Sequence, residues 1–476
     1  MWNSRQVANF INGELIGNSE VQTFGCIIDS RQAQGGEIFF ALSGENVDGH
    51  NFIEAAWDKG AAVVIAEQEG LRRRKAVQVP EGKALIQVES GLLAMRLLAK
   101  AWRCELGAKV IGITGSNGKT TTKDMIAAVL AQKHQVHKNK ENHNNELGLP
   151  MTILNAPLGT EILILEMGMR GLGQITALCE IAKPDVGVIT NIGTTHMELL
   201  GSEENIARAK WELIEALPVE GIAVINAEDY WSVKQAAKDA HSQRFYGLQG
   251  NYHEPDLRGV NLTPVGTLGT RFDVNALDIK SEVNEKKHAT IDLPLPGEHN
   301  VLDALAALSV GLLFGVSLSE GCKGLAEMEL SRMRLELHPG IYGSTLISDV
   351  YNANPTSMKA SLKVLRERGG VSTLAILGEM YELGEASESG HYEVGQTVAE
   401  LGITELIAVG ELAEEIARGA REKGMPTSVI YSCKNREEAI GKAREVLSHL
   451  DRGTWVLIKA SRGMRMEEVT KALREG

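Results

Sequence analysis

Residues 110–122, Val-Ile-Gly-Ile-Thr-Gly-Ser-Asn-Gly-Lys-Thr-Thr-Thr, constrain this fold more than any other stretch. A short β-branched run ends at Thr114. Gly115, Ser116, Asn117 and Gly118 then turn the chain, and the pattern after Lys119 predicts a helix over Thr120–Gln132. Strand, glycine loop and helix together make a phosphate site. Backbone N–H groups and the helix N-terminus face the anion, Lys119 adds a charge, and the Thr120 hydroxyl reaches Mg²⁺. Ile113 stands where the strict G-x-x-x-x-G-K-[ST] pattern has its first glycine, so the loop, which runs on through Thr121, is better written T-G-x-x-G-K-T-T. The segment implies a nucleoside triphosphate ligand.

A length of 476 residues suggests about three domains, and 43% hydrophobic content supports substantial cores. A formal net charge of −13 argues against a nucleic-acid partner and leaves any anionic ligand to local groups. The five cysteines are scattered, with no C-x-x-C, which favours a reducing compartment over a disulfide framework or a cysteine zinc site. No apolar run of about 18 residues is present, and the opening Met1-Trp-Asn-Ser-Arg lacks a signal-like apolar core. A soluble, cytoplasmic chain with no membrane-spanning segment is expected.

The first ~85 residues read as short strands (Glu37–Leu42, Ala61–Ala66) around a helix over Asn51–Lys59. Two polar turns stand out, Asp29-Ser30-Arg31 and Asp48-Gly49-His50; turn chemistry and ligand contact explain them equally well. From about residue 107 strands and helices alternate, which predicts a mainly parallel sheet with helices on both faces and ligands at the strands' carboxyl ends. Residues ~245–296 read as a small antiparallel excursion, and Asn300–Phe314 as a helix. From about residue 329 a second doubly wound unit opens, with strands at Thr345–Val350, Thr373–Leu377, Glu405–Val409, Ser428–Tyr431 and Trp455–Ile458. The fold class is therefore α/β in three units, placed at residues 1–88, 89–328 and 329–476.

Glu166 ends an apolar strand in the sheet that carries the phosphate loop, a suitable place for a Mg²⁺ ligand or a holder of its water. His196 follows the turn Asn191-Ile-Gly on the same sheet edge and reads as a metal or substrate contact. Lys210 lies on a helix capped by Ser202 and stopped by Pro218. It falls within the stripe Ile206, Leu213, Ile214 and Leu217, with Arg208, Glu212 and Glu215 opposite. A lysine there must snorkel, pair, lose its proton or be modified. In the third unit Arg334 suits a transferring phosphoryl group, and Asp349, Asn352 and Asn354 gather beyond one strand, with Ser461 beyond another. Bringing them to a nucleotide held on a different sheet requires closure between units.

With these residues in hand, the chain resembles the Mur ligase family of ATP-dependent peptide synthetases over essentially its whole length. The resemblance implies an N-terminal sugar-nucleotide domain, a central P-loop ATPase domain and a Rossmann-like C-terminal domain. It makes Thr114–Thr121 the ATP loop, Glu166 and His196 metal ligands, and Lys210 a carbamylated lysine bound to Mg²⁺. Asp29-Ser-Arg31 and Asp48-Gly-His50 resemble the two later-acting ligases. Asn142-His-Asn144-Asn145, Asp349-Val-Tyr-Asn-Ala-Asn-Pro355 and Leu377-Gly-Glu-Met-Tyr-Glu-Leu-Gly384 resemble the branch that adds D-alanyl-D-alanine to UDP-N-acetylmuramoyl-tripeptide in peptidoglycan precursor synthesis. On this resemblance ATP meets the loop, Asn300, Arg334, Asp349 and Asn352. The substrates meet Asp29, Ser30, Arg31, Asp48, Gly49, His50, Asn142, Asn144, Asn145, Asn354 and Ser461, and a monomer is expected. A relative that adds another amine, like folylpolyglutamate synthetase, is disfavoured by residues 349–355, and a non-catalytic scaffold by the set Glu166, His196 and Lys210. One departure stands out. The family's second asparagine in G-x-H-N-x-x-N is Asp303 here, and a carboxylate can only accept, which weakens adenine recognition or passes it to Asn300.

Overall fold

The structure is a computed structural model. It describes residues 2–44, 46–74, 77–140, 143–193, 195, 197–276, 288–328, 333–370 and 372–474. Two candidate site residues, Asn142 and His196, lie outside the described residues.

Among the described residues the chain forms three sheets. The first holds β1 (Glu14–Gly17), β2 (Cys26–Ile27), β3 (Ile38–Ala41), β4 (Val63–Glu67) and β5 (Ala84–Val88) in the order β1-β5-β4-β3-β2, parallel except for β1. The expected helix over Asn51–Lys59 is split, a 3-10 turn over Gly49–Phe52 leading into a helix over Ile53–Asp58.

The central sheet contains β6 (Lys109–Thr114), β7 (Val136–Lys138), β8 (Ile162–Glu166), β9 (Val186–Ile189), β10 (Ile222–Asn226), β11 (Ser242–Gly247), β12 (Leu257–Val265), β13 (Gly269–Ala276) and β14 (His288–Leu293). Their order is β14-β13-β12-β11-β10-β9-β6-β8-β7. Pairing is parallel from β7 to β12 and antiparallel among β12, β13 and β14, which is the antiparallel excursion expected from sequence. β8 and β9 are buried throughout and β6 from its second residue on, as an apolar strand covered on both faces must be. The chain runs from β6 outward to β7 and β8, then returns to β9 on the other side of β6. That reversal opens a crevice at the carboxyl end of β6.

The third sheet holds β15 (Glu336–Pro339), β16 (Thr345–Ser348), β17 (Thr373–Gly378), β18 (Glu405–Val409), β19 (Ile430–Cys433) and β20 (Trp455–Lys459) in the order β15-β16-β20-β17-β18-β19. Only β15 runs antiparallel. β19 starts later than expected because Thr427–Val429 forms a 3-10 turn.

The first unit is docked firmly on the second. The Asn155 side chain accepts from Cys26 N–H at 2.9 Å and donates to Cys26 O at 3.0 Å. The third unit meets the second at the β12–β13 turn. There Leu268 enters the core of the third unit, and Arg368 Nη2 donates to Gly269 O at 2.6 Å. Among the described residues no helix is long and apolar enough to cross a membrane.

Candidate active site

A cavity of about 1150 Å³ lies where the carboxyl ends of the central and third sheets face each other. From the central unit it is lined by the phosphate loop, Asn144, Asn145, Glu166, Lys210, Asn300 and Asp303. From the third unit it is lined by Arg334, Asp349, Asn352, Asn354 and Ser461, among others.

The phosphate loop is fixed by its neighbour strand. Ser116 N–H donates to Asn191 O at 2.8 Å, Asn117 N–H to Asn191 Oδ1 at 3.0 Å, and Gly193 N–H to Ser116 Oγ at 2.8 Å. A Cβ at Gly115 would fall 1.8 Å from Thr190 Oγ1, so only glycine lets the loop lie this close. Gly118, at φ +80°, turns the chain into the helix Lys119–Leu130, which starts one residue earlier than expected. Lys119 Nζ donates to Gly115 O at 2.7 Å and Ser116 O at 3.3 Å. Burial lowers its pKa, with the Arg334 charge adding to the effect and the Glu166 charge opposing it.

Glu166, buried at the end of β8, is held at both oxygens. Thr120 Oγ1 donates to Oε2 at 2.9 Å and Asn144 Nδ2 to Oε1 at 2.7 Å. Asn139 accepts from Glu166 N–H at 2.6 Å, and Lys123 Nζ donates to Asn139 O at 3.0 Å. Asn139 and Lys123 form a supporting clamp, and neither residue stands in a recognisable sequence pattern. Asn145 Oδ1 accepts from Gly148 N–H at 2.9 Å, just before the next helix.

Lys210 is 2% exposed, which removes snorkelling as an account of it. It has no hydrogen bond or ion pair among the described residues. Burial drives its pKa well below the ordinary lysine value; the Lys119 charge adds to this and Asp229 opposes it. The same helix corrects one expectation. Glu212 does not face outward with Arg208 and Glu215: it is buried, and its carboxylate accepts from Gly173 N–H at 2.6 Å and Thr176 N–H at 3.0 Å, capping the helix Gln174–Ala182.

The third unit reaches the loop directly. Arg334 Nη2 donates to Thr120 Oγ1 at 3.0 Å, its guanidinium resting over the Tyr351 ring at 4.3 Å. Asn354 Nδ2 donates to Asn117 Oδ1 at 2.6 Å while its Oδ1 caps the helix Pro355–Arg368. Asp349 Oδ2 accepts from Lys459 Nζ at 2.6 Å and Ser361 Oγ at 2.7 Å, and Lys459 also donates to Asn352 O at 2.9 Å. Burial alone would raise the Asp349 pKa. The Lys459 charge, those two hydrogen bonds and Arg334 together hold it below the usual aspartate value. Ser461 Oγ accepts from Tyr381 N–H at 2.8 Å, which brings Tyr381 into the cavity wall.

Asn300 Nδ2 donates to Pro296 O at 2.6 Å. Asp303 accepts from Thr122 Oγ1 at 2.9 Å, so its carboxyl serves the loop helix. The N-terminal candidates lie outside the cavity lining. Asp29 is paired with the exposed Arg31 at 2.8 Å and Ser30 is buried beside them. His50 is buried with both ring nitrogens engaged, Nδ1 to Asp48 Oδ1 at 2.6 Å and Nε2 accepting from Glu67 N–H at 3.0 Å. Asp48, Gly49 and His50 thus brace the first unit.

Three family models match in order along this chain: the Mur ligase family catalytic domain at residues 25–103, the Mur ligase middle domain at 113–311 and the Mur ligase glutamate ligase domain at 333–462. The chain belongs to the Mur ligase family. Among Mur ligases it is 37% identical to the UDP-N-acetylmuramoyl-tripeptide–D-alanyl-D-alanine ligase of Bacillus subtilis, over 99% of this chain and 98% of that one. It is 31% identical to the Escherichia coli enzyme of the same name, with the same coverage. Its structure superimposes on that of MurF from Acinetobacter baumannii with a TM-score of 0.85, at 29% identity over 100% of this chain and 99% of that one. It also superimposes on Thermotoga maritima MurF ligase in complex with ADP, with a TM-score of 0.78 at 29% identity over 95% and 97%. The family's three-unit α/β architecture is the one described above.

Proposed function

We propose that this chain is a UDP-N-acetylmuramoyl-tripeptide–D-alanyl-D-alanine ligase. It uses ATP to join the tripeptide's terminal carboxylate to the amino group of D-alanyl-D-alanine in peptidoglycan precursor synthesis. The observation that carries this reading is end-to-end similarity to enzymes of that name.

A carboxylate does not react with an amine at neutral pH. Its oxygen therefore first attacks the γ-phosphorus of ATP, ADP leaves, and an acyl phosphate forms. The neutral amine of D-alanyl-D-alanine then attacks the acyl carbon. As the tetrahedral intermediate collapses, the carbon–oxygen bond to phosphate breaks, phosphate departs and the nitrogen loses a proton. In our assignment the N–H groups of residues 115–121 and Lys119 hold the β- and γ-phosphates, and Arg334 meets the charge that grows on the transferring group. Asn300, Asp349 and Asn352 hold the rest of the nucleotide. Asn144, Asn145, Asn354 and Ser461 face the acceptor and the dipeptide, and Asp29, Ser30 and Arg31 meet the uridine diphosphate end.

Thr120 Oγ1 and Glu166 Oε2, 2.9 Å apart at the start of the loop helix, are hard oxygen donors of the kind Mg²⁺ takes. We assign the metal to Thr120, Glu166, His196 and a carbamate on Lys210. Held by those residues, Mg²⁺ would supply charge neutralisation for the phosphates and the incoming carboxylate. The buried amine of Lys210, without a hydrogen-bond or ion-pair partner among the described residues and with its pKa lowered by burial, supports the carbamate, since the neutral amine adds to CO₂ and releases one proton. We place the domain boundaries at 88/89 and 328/329 and the enzyme in the cytoplasm as a monomer, since one chain supplies both walls of the cavity.

The test is phosphate release from ATP with the sugar-nucleotide tripeptide and, in turn, D-alanyl-D-alanine, L-lysine, meso-diaminopimelate or L-glutamate. Release only with D-alanyl-D-alanine is expected. Release only with another amine overturns the substrate assignment, and none with any amine overturns ligation.

A further inference from the structure

Asp303 is a buried carboxyl set against the phosphate loop. It projects from the helix Glu298–Leu313, and its Oδ1 accepts from Thr122 Oγ1 at 2.9 Å. A Cβ added to Gly118 would come within 2.6 Å of that same oxygen, so the carboxyl closes against the residue that turns the loop into its helix. Among the described residues no cation pairs with it. Arg334 of the third unit favours its charged form from a distance. On β11, Tyr246 keeps its proton, burial holding its pKa high, and donates to Ile189 O at 3.1 Å. On the loop helix, Lys119 sends its Nζ to Gly115 O and Ser116 O. On Asp303's own helix, His299 is neutral, burial holding it at about 4.

Resting on the ATP reading above, we infer that Asp303 is a positioning residue for the nucleotide. As the neutral acid it braces Gly118 and Thr122 for phosphate; as the carboxylate it competes with phosphate for the same helix N-terminus. Burial raises the Asp303 pKa to about 7, so both forms exist near neutrality. Phosphate charge brought to the loop raises it further. The bound state then holds more protons than the free state, and affinity falls as pH rises.

Calorimetric binding of ADP in EDTA tests this on the wild type and Asp303→Asn, an isostere of the neutral acid. Affinities should agree within about twofold at about pH 6, and Asp303→Asn should bind about tenfold more tightly at about pH 8. Heats in buffers of different ionisation enthalpy should show the wild type taking up about one proton more than the variant at that pH. Equal affinities at both pH values, or a uniform weakening in Asp303→Asn, overturn the inference. Absence of ADP binding by the wild type overturns the ATP reading and this inference with it. If Asp303→Asn does not fold, Thr122→Val removes the donor that favours the carboxylate. It should move the fall in affinity to higher pH, and an unmoved profile overturns the inference.

Discussion

Arg334 Nη2 donates to Thr120 Oγ1 at 3.0 Å, and Thr120 Oγ1 in turn donates to Glu166 Oε2 at 2.9 Å. The first pair spans 214 positions of sequence. One hydroxyl thus ties an arginine of the third unit to the carboxylate we assign to the metal.

If Arg334 meets the transferring phosphoryl group, Arg334→Ala should lower kcat by about 10³-fold while ADP affinity changes by less than about tenfold. The third unit should also close further when an ATP analogue and the sugar nucleotide are both present. Solution scattering checks the second point, and an unchanged radius of gyration with both ligands would count against it.

Asn144 holds Glu166 by one oxygen, and a side chain that orients a metal ligand contributes about 10- to 100-fold to metal affinity. Asn144→Ala should therefore raise the Mg²⁺ concentration for half-maximal rate by about that factor and leave saturating velocity nearly intact. A Mg²⁺ titration of both enzymes decides it.

Local chemistry explains what the sequence made legible. The phosphate loop, the Ser202 cap and the stripe around Lys210 lie within short segments whose periodicity and turn residues are self-contained. Glu212 was not legible, because its role depends on a helix N-terminus that begins almost forty residues earlier. His50 was half-legible: the turn was visible, but the N–H of Glu67 that consumes its second nitrogen was not. β1, β7 and β15 lack a run of buried apolar residues because each lies at a sheet edge. Asp303 stands inside a motif read for adenine, and only the packing of two helices shows that it faces the loop.

Asp349 and Lys459 form a buried pair, so removing one partner leaves the other uncompensated. Lys459→Met should destabilise the protein by about 3 kcal/mol, and Asp349→Asn/Lys459→Met by distinctly less. The Asp349 pKa is depressed in the folded state. Its stabilisation is therefore full above the ordinary aspartate value of about 4 and lost as pH falls through the lower folded value. Urea unfolding at about pH 5 and about pH 3 should show a larger loss for the wild type than for Asp349→Asn.

Lys210→Ala should lose activity and regain part of it with added small carboxylates, which fill the place of the carbamate oxygens. Lys210→Arg should be inactive and beyond rescue, since guanidinium brings bulk and the wrong charge. Carbon-13 labelling of active enzyme with ¹³CO₂ should give a carbamate signal. Wild-type turnover in Lys210→Arg would show that the lysine is an unmodified amine.

Leu268 has a mechanical consequence. It leaves the central unit at the tip of the β12–β13 turn and is seated among third-unit side chains such as Leu362 and Leu365, with Arg368 locked to Gly269 O beside it. A side chain held in the other body's core behaves as a ball in a socket. It resists sliding, because sliding would pull apolar surface into water, and it tolerates swivelling. Relative motion of the two units therefore has a fulcrum at Leu268, and residues on the cavity wall travel on lever arms measured from that point.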